Sequence, residues 1–324
     1  MNFHRLIAAI TVCIALLGGA GSPSAEEYPN HIVRIIVVYP PGGGLDLVMR
    51  VLGAKLSEYW GQPVVIENRG GAATTLGTAA AAKAPADGYT LLSTDVSFSI
   101  TATLFKNLQY DPIKSFAPIS LVNGVSNVMV VHPSVPAKTV KELINYMHKS
   151  PTKLMYATGG SGTLPNLAMV IFMREAAVEM EQIAYRGSGG SMLSMVAGTE
   201  QVYIGALGTV APYITSGQLR PIAVLDPHRS KLLPDVPTII EAGLPKAEAR
   251  SWYGLLAPVG TDRAIIDKIS NDVKRALREP DVLKVLDALG DDAVGTDPDT
   301  FAEFLKGDLK KWGDAVQAAG ATVD

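Results

Sequence analysis

The sequence predicts an α/β fold with mainly parallel sheets, built as two lobes joined by two strands. Three observations support this. Short β-branched runs alternate with amphipathic or alanine-rich stretches along most of the chain. Glycine-rich turns stand where strands pass into helices, at 42–44, 159–162 and 187–190. Two strand-like segments, near 126–131 and 250–256, fall where a chain would leave one lobe and return to it.

The first unit is Val33-Arg-Ile-Ile-Val-Val-Tyr-Pro-Pro-Gly-Gly-Gly-Leu-Asp46. Its β-branched run reads as a buried strand, and Asp46 opens an amphipathic run to about residue 59. A turn of this kind aims free backbone N–H groups and the positive end of a helix at one spot, which suits an anion. A strand at 63–67, an alanine-rich helix at 76–84 and a strand at 89–94 follow, the last ending at Ser93, Thr94 and Asp95. After a strand at 128–131 comes a charged-faced helix at 138–149. A strand at 154–157 then leads into the second turn, 158–163, and a helix at 165–177. A strand at 182–185 runs into Tyr185-Arg-Gly-Ser-Gly-Gly190. Further strands are predicted at 201–206, 221–225 and 252–257, and helices at 263–278, 281–289 and 297–318. The expected division is a leader at 1–25, one lobe from 26–127 with 253–324, and a second from 128–252. Ligands of open α/β sheets sit beyond the carboxyl ends of the strands, so two facing lobes place these turns across a cleft that a hinge can close.

Arg5, the apolar run 6–17 and small residues between Ala20 and Ala25 have the pattern of a secretory signal that is removed, so a secreted mature chain is expected. The only cysteine, Cys13, lies inside that segment, so no disulfide and no thiolate nucleophile is expected in the mature protein. Val12 before it does not fit lipidation. Loss of Arg5 leaves 27 basic against 31 acidic residues, with no basic excess to drive nucleic-acid binding. A content of 48% apolar residues argues for a packed core. No surface stripe demands a partner, and a monomer is expected.

In the first turn, Pro41, Gly42, Gly43, Gly44, Leu45 and Asp46 are candidate ligand contacts. Three consecutive glycines exceed what a turn requires. A dinucleotide fingerprint needs glycine at 47 and at 165, where Leu47 and Pro165 stand, and no Gly-Lys pair is present for a phosphate loop. Asp46 reads as a helix N-cap rather than an acid catalyst, its oxygens turned back on helix N–H groups. In the second turn, Gly159, Gly160, Ser161, Gly162 and Thr163 are candidates, with Thr163 also available as a cap. In the third, Tyr185, Arg186, Gly187 and Ser188 are candidates. Arg186 can fork onto a carboxylate, although a solvated arginine is the commoner finding. Thr94 and Asp95 are expected to line the same cleft. No Gly-x-Ser-x-Gly elbow occurs, and His31, His132, His148 and His228 are isolated in sequence. Catalysis, a metal and a cofactor are therefore not expected.

Nine stretches in order resemble the substrate-binding proteins of tripartite tricarboxylate transporters, the Bug family. They are Tyr39-Pro-Pro-Gly-Gly-Gly-Leu-Asp46, Pro63-Val-Val-Ile-Glu-Asn-Arg-Gly70, Ala86-Asp-Gly-Tyr-Thr-Leu-Leu92, Tyr110-Asp-Pro112, Pro136-Ala-Lys-Thr-Val-Lys-Glu-Leu143, Tyr185-Arg-Gly187, Leu233-Pro-Asp-Val-Pro-Thr238, Glu241-Ala-Gly243 and Ser251-Trp-Tyr-Gly254. The resemblance implies a two-lobed periplasmic-binding-protein fold of the second type, the Venus-flytrap architecture with a two-strand hinge. It also implies a small carboxylate ligand held by backbone N–H groups and ordered water, and delivery to a membrane transporter. The chain departs from the family pattern in places. Leu45 replaces a common threonine, Asn166 a common histidine, and Gln201, Gly205 and Ala206 stand where acidic or amide residues are frequent. Gly205 and Ala206 would give a smaller, less charged wall, suited to a monocarboxylate or dicarboxylate with an apolar body, such as an aromatic acid. A sensing role beside a membrane receptor and, more remotely, a secreted hydrolase are the alternatives.

Overall fold

The computed structural model describes residues 28–185 and 187–321. The expected leader and Arg186 lie outside the described residues. The strands are β1 (Val33–Val37), β2 (Val64–Asn68), β3 (Thr90–Asp95), β4 (Phe116–Val125), β5 (Asn127–Val131), β6 (Leu154–Thr158), β7 (Met180–Ala184), β8 (Val202–Ala206), β9 (Arg220–Val224), β10 (Ser251–Pro258) and β11 (Asp292–Ala293). The helices are α1 (Gly44–Trp60), α2 (Thr75–Ala82), α3 (Ser97–Leu104), α4 (Val140–Lys149), α5 (Leu164–Ala176), α6 (Ser188–Ala197), α7 (Leu207–Thr215), α8 (Arg263–Ala276), α9 (Pro280–Leu289) and α10 (Pro298–Ala319). None is long and apolar enough to cross a membrane among the described residues.

Two sheets organise these elements. One runs β11-β4-β10-β3-β1-β2, the other β7-β6-β8-β5-β9. The sheets are mixed rather than mainly parallel. β1 lies parallel to β2 and β3, and β6 parallel to β7 and β8, because a helix carries the chain back across the sheet between strands. β10 runs antiparallel to both β3 and β4, and β5 antiparallel to both β8 and β9. The chain leaves the first sheet along β4 and re-enters it along β10, so those two strands oppose each other.

The crossings pass side by side. Ser251 is paired with Val125, the Asn127 side chain donates to Ala249 O at 2.9 Å, and Asn127 O accepts the Leu225 amide at 2.8 Å. β1 and β10 are almost wholly apolar and buried, which puts the core of the first lobe directly under the crossing. Helix α10 is fixed to that core by Asp308, whose two oxygens accept the indole N–H groups of Trp252 (3.0 Å) and Trp312 (3.1 Å).

Candidate functional site

A cavity of about 580 Å³ lies between the two sheets, within the size range of small-molecule sites. The starts of four helices line it. The N-cap position is Gly43 for α1, Thr163 for α5, Gly187 for α6 and Ala206 for α7, and none of these residues makes a side-chain cap. The first-turn amides of a helix have no partner within it, so each start presents a partial positive charge and N–H donors, less the Leu207 amide, which Ser126 O takes at 2.8 Å, and Pro165, which has none.

Gly43 has φ −81° and ψ 168°, ordinary extended backbone, while Gly42 before it has φ +92°, which only glycine adopts without strain. The turns of the two lobes meet here. A Cβ on Gly43 would stand 3.7 Å from Ser188 Oγ, and one on Gly187 would stand 3.4 Å from Pro40.

Of the residues expected from sequence, Pro41, Gly42, Gly43, Gly44, Leu45, Asp95, Gly159, Thr163, Gly187, Ser188 and Ala206 line the cavity. Asp46 does not, and it is not the N-cap, since the helix starts two residues earlier, at Gly44. Its Oδ2 accepts the Gly42 amide and Arg50 Nε, both at 2.9 Å, and its Oδ1 accepts Asn68 Nδ2 at 2.9 Å. Burial pushes this carboxyl upward, and the bonds from Arg50, Gly42 and Asn68 outweigh it, holding the pKa below its ordinary value. The negative charge is thereby consumed inside the turn, and the Gly42 donor is consumed with it.

The second turn also spends some of its polar groups on itself. Thr163 occupies the N-cap position, but its hydroxyl donates to Gly160 O at 2.8 Å. Gly160, Ser161 and Gly162 do not line the cavity. The Gly160 amide is taken by Thr158 Oγ1, and Gly162 is packed against Leu104, Ala73 and Phe105 of the first lobe. In the third turn the Gly187 amide is directed to Gly159 O at 3.4 Å. Tyr185 is held away by Ser194 and Glu200, its hydroxyl 2.6 and 2.7 Å from their oxygens. Thr94 is fully buried within β3, and Gly205 is covered by the ring of Tyr203.

Asp95 is the only acid or base, tyrosines apart, among the described residues lining the cavity. Burial pushes its carboxyl up to about 6, against hydrogen bonds from the Ser97 amide (2.9 Å) and the Tyr39 hydroxyl (3.0 Å), with a small further rise from Asp308. No described lysine, arginine or histidine lines the wall. An anion here would be met by amides and hydroxyls.

Sequence reasoning missed the tyrosines. Tyr39, Tyr203, Tyr213 and Tyr253 all line the cavity, with Leu47, Met192, Pro212 and Leu289 supplying apolar wall. The Ser251-Trp-Tyr-Gly254 stretch carried one of them, and its contact with the first turn was the unread signal. A Cβ on Gly44 would lie 2.6 Å from the Tyr253 hydroxyl, so the glycine makes room for a phenol at the start of α1.

Two lobes around a cleft ringed by uncapped helix starts define a solute-binding protein of the periplasmic-binding-protein fold. The chain belongs to the tripartite tricarboxylate transporter family receptors, whose sequence profile matches residues 48–321. It is 34% identical over 323 residues to the protein BugT of Bordetella pertussis (strain Tohama I), covering 99% of each chain. The solved structure of R. palustris Rpa4515 with adipate superposes with a TM-score of 0.87 at 29% identity, covering 91% of this chain and 99% of that one. MatC (Rpa3494) from Rhodopseudomonas palustris with bound malate superposes with a TM-score of 0.84 at 29% identity, covering 89% of this chain and 100% of that one.

Proposed function

We propose that this protein captures a small organic carboxylate between its lobes in the periplasm and delivers it to a membrane transporter of the tripartite tricarboxylate type. The observation that carries this reading is the convergence of four uncapped helix starts, from both lobes, on one cavity with no described basic side chain. A ligand carboxylate at the Gly43–Leu45 amides gains about 0.3–1 kcal/mol from a helix end at an exposed site and up to about 2 when partly buried. Each hydrogen bond to the charged group adds about 1.5–3 kcal/mol. Ser188 and the third turn meet the same ligand from the second lobe. Contacts from both lobes favour the closed shape over the open one, and a transporter would recognise that shape.

The relatives solved with adipate and malate support a carboxylate ligand. The tyrosine, leucine and methionine walls favour an acid with an apolar body. The protein performs no chemistry on this ligand.

A thermal-shift screen of the mature protein against small carboxylates tests the reading. A ligand at 100 times its dissociation constant adds about 2.7 kcal/mol to stability. A hit that disappears on esterification supports carboxylate capture. An equal response to acid and ester overturns it, as does the absence of any hit from protein that mass spectrometry finds free of co-purified acid.

A further inference from the structure

Gly205 and Tyr203 lie two residues apart on β8 and so share one face of the strand. A Cβ on Gly205 would stand 2.6 Å from both Cζ and the hydroxyl of Tyr203, nearer than real Cβ atoms come to any neighbour. The ring therefore lies over the glycine, directed along the strand toward its carboxyl end, where helix α7 begins. Tyr203 is 2% exposed and lines the cavity. Its hydroxyl has no hydrogen-bond partner among the described residues, whereas that of Tyr39 is satisfied by Asp95. Burial pushes the Tyr203 pKa well above its ordinary value, so it remains a neutral phenol with a proton to donate.

The Tyr203 arrangement parallels the one at Gly44. In each lobe a glycine accommodates a tyrosine hydroxyl beside an uncapped helix start: Gly44 with Tyr253 at α1, and Gly205 with Tyr203 at α7. Around Tyr203 the cleft also presents Gly208 and Thr209 of the first turn of α7. The Leu207 amide is spent on Ser126 O at 2.8 Å, which leaves those of Gly208 and Thr209 at the positive helix end, so the group that belongs there is a hydrogen-bond acceptor, best an anionic one.

We infer that Tyr203, seated on Gly205, is a specificity-determining residue that donates to a second acceptor on the ligand, distinct from the carboxylate held at Gly43–Leu45. This rests on the carboxylate reading of the same cleft. The ligand class it selects is an acid with an apolar body and an acceptor, preferably a second carboxylate, at its other end. A side chain at position 205 would remove the seat and drive the ring into the cavity, so the glycine is as much a part of the device as the phenol.

Isothermal titration with two matched pairs of acids tests it: adipate against hexanoate, and terephthalate against benzoate. The wild-type protein is expected to bind the diacid of at least one pair more tightly than its monoacid. Tyr203→Phe removes one oxygen and leaves the ring in place, so the fold is kept. It should weaken the diacid by about ten- to a hundredfold, the worth of a hydrogen bond to a charged group, and leave the monoacid unchanged. Gly205→Ala should abolish the same preference. Should that variant fail to fold, Tyr203→Phe decides alone. Equal weakening of diacid and monoacid by Tyr203→Phe, or no diacid preference in the wild type, overturns the inference while the carboxylate reading stands. Wild-type protein, shown free of co-purified acid, that binds none of the four acids and gives no hit in the carboxylate screen overturns both.

Discussion

Of the helices that open away from the cleft, α4, α8 and α10 start on a side-chain cap, while α2, α3 and α9, entered at Thr74, Val96 and Glu279, do not. Thr139 accepts the Glu142 amide at 3.1 Å at the head of α4, Asp262 the Ala264 amide at 2.7 Å at α8, and Asp297 the Thr300 amide at 2.8 Å at α10. The four helices that open into the cleft start on Gly43, Thr163, Gly187 and Ala206 with no such bond. Two of these residues have no side chain to offer a cap, one has only a methyl, and Thr163 turns its hydroxyl to Gly160 O. A capped start is stabilising by about 1 kcal/mol. The cleft forgoes that at four places and keeps most of the first-turn amides available, the exceptions being the Leu207 amide, taken by Ser126 O at 2.8 Å, and Pro165, which has none. The comparison teaches that missing caps alone do not mark the cleft; what sets it apart is that four uncapped starts converge on one cavity, where the proposed reading has an anion meet helix ends free of competing side chains. Asp46 shows the limit. It is an acid within the first turn of a cleft helix, and Gly42, Arg50 and Asn68 tie up its charge.

The sharpest way to break this contrast is to install at the cleft the cap found outside. Gly43 has backbone angles open to any residue, and a Cβ there meets only Ser188 Oγ at 3.7 Å. Gly43→Asp should fold normally, with stability within a few tenths of a kcal/mol of wild type. It should lose about a hundredfold or more in affinity for the bound acid, because like charges brought together in a closed cleft cost several kcal/mol. Calorimetry and thermal melts read the two quantities separately, and an affinity left intact would remove α1 from the site.

The next effect is smaller and concerns the acid that the cleft does retain. Asp95 has its pKa raised to about 6, so near neutral pH it is mostly ionised and repels an anionic ligand. Binding of an anion favours its protonation, so affinity should rise as pH falls toward 6, by at most about tenfold per pH unit, and level off below it. The same group acts on stability. Its folded pKa lies above the unfolded value of 3.8, so the free protein gains stability from it at low pH and loses that contribution as pH rises from about 4 through about 6. Asp95→Asn should flatten the pH profile of affinity and tighten binding at pH 8. A profile unchanged by the substitution would mean that Asp95 does not face the ligand's charge.

The smallest effect on binding belongs to the outer caps. Asp297→Ala removes the bonds to the Thr300 amide and hydroxyl at the head of α10. It should cost about 1 kcal/mol of stability and leave affinity unchanged. A change in affinity there would show that the outer helix starts are coupled to the cleft, and the contrast drawn above would fail.

Much of the fold was legible because its signals are local. The β-branched run ending at Val38, the three glycine turns and the long amphipathic C-terminal helices each carry their own periodicity. Helix α3 carries the opposite signal. Ser-Phe-Ser-Ile-Thr-Ala-Thr-Leu alternates polar and apolar residues with the period of a strand, yet residues 97–101 are helical and buried on every side. Thr101 satisfies its hydroxyl on Ser97 O at 2.8 Å, and Asp95 accepts the Ser97 amide, so burial all round overrides the pattern. Strand β4 was hidden for a related reason. Pro118, Asn123 and Gly124 interrupt its apolar run and are tolerated where the register with β10 shifts.

By itself the sequence determined most of the alternation of elements and the positions of the glycine turns, since backbone conformation and side-chain period depend on neighbours in the chain. Tertiary structure alone decided which face of each turn meets the cleft. It turned Gly162 toward Leu104 and Gly43 toward Ser188, set the Tyr253 hydroxyl into the space left by Gly44, and laid the Tyr203 ring over Gly205 at the cleft wall. Most of those contacts join residues far apart in the chain. What they fix is which donors are consumed by the fold and which are left for a ligand, and that depends on how the lobes pack.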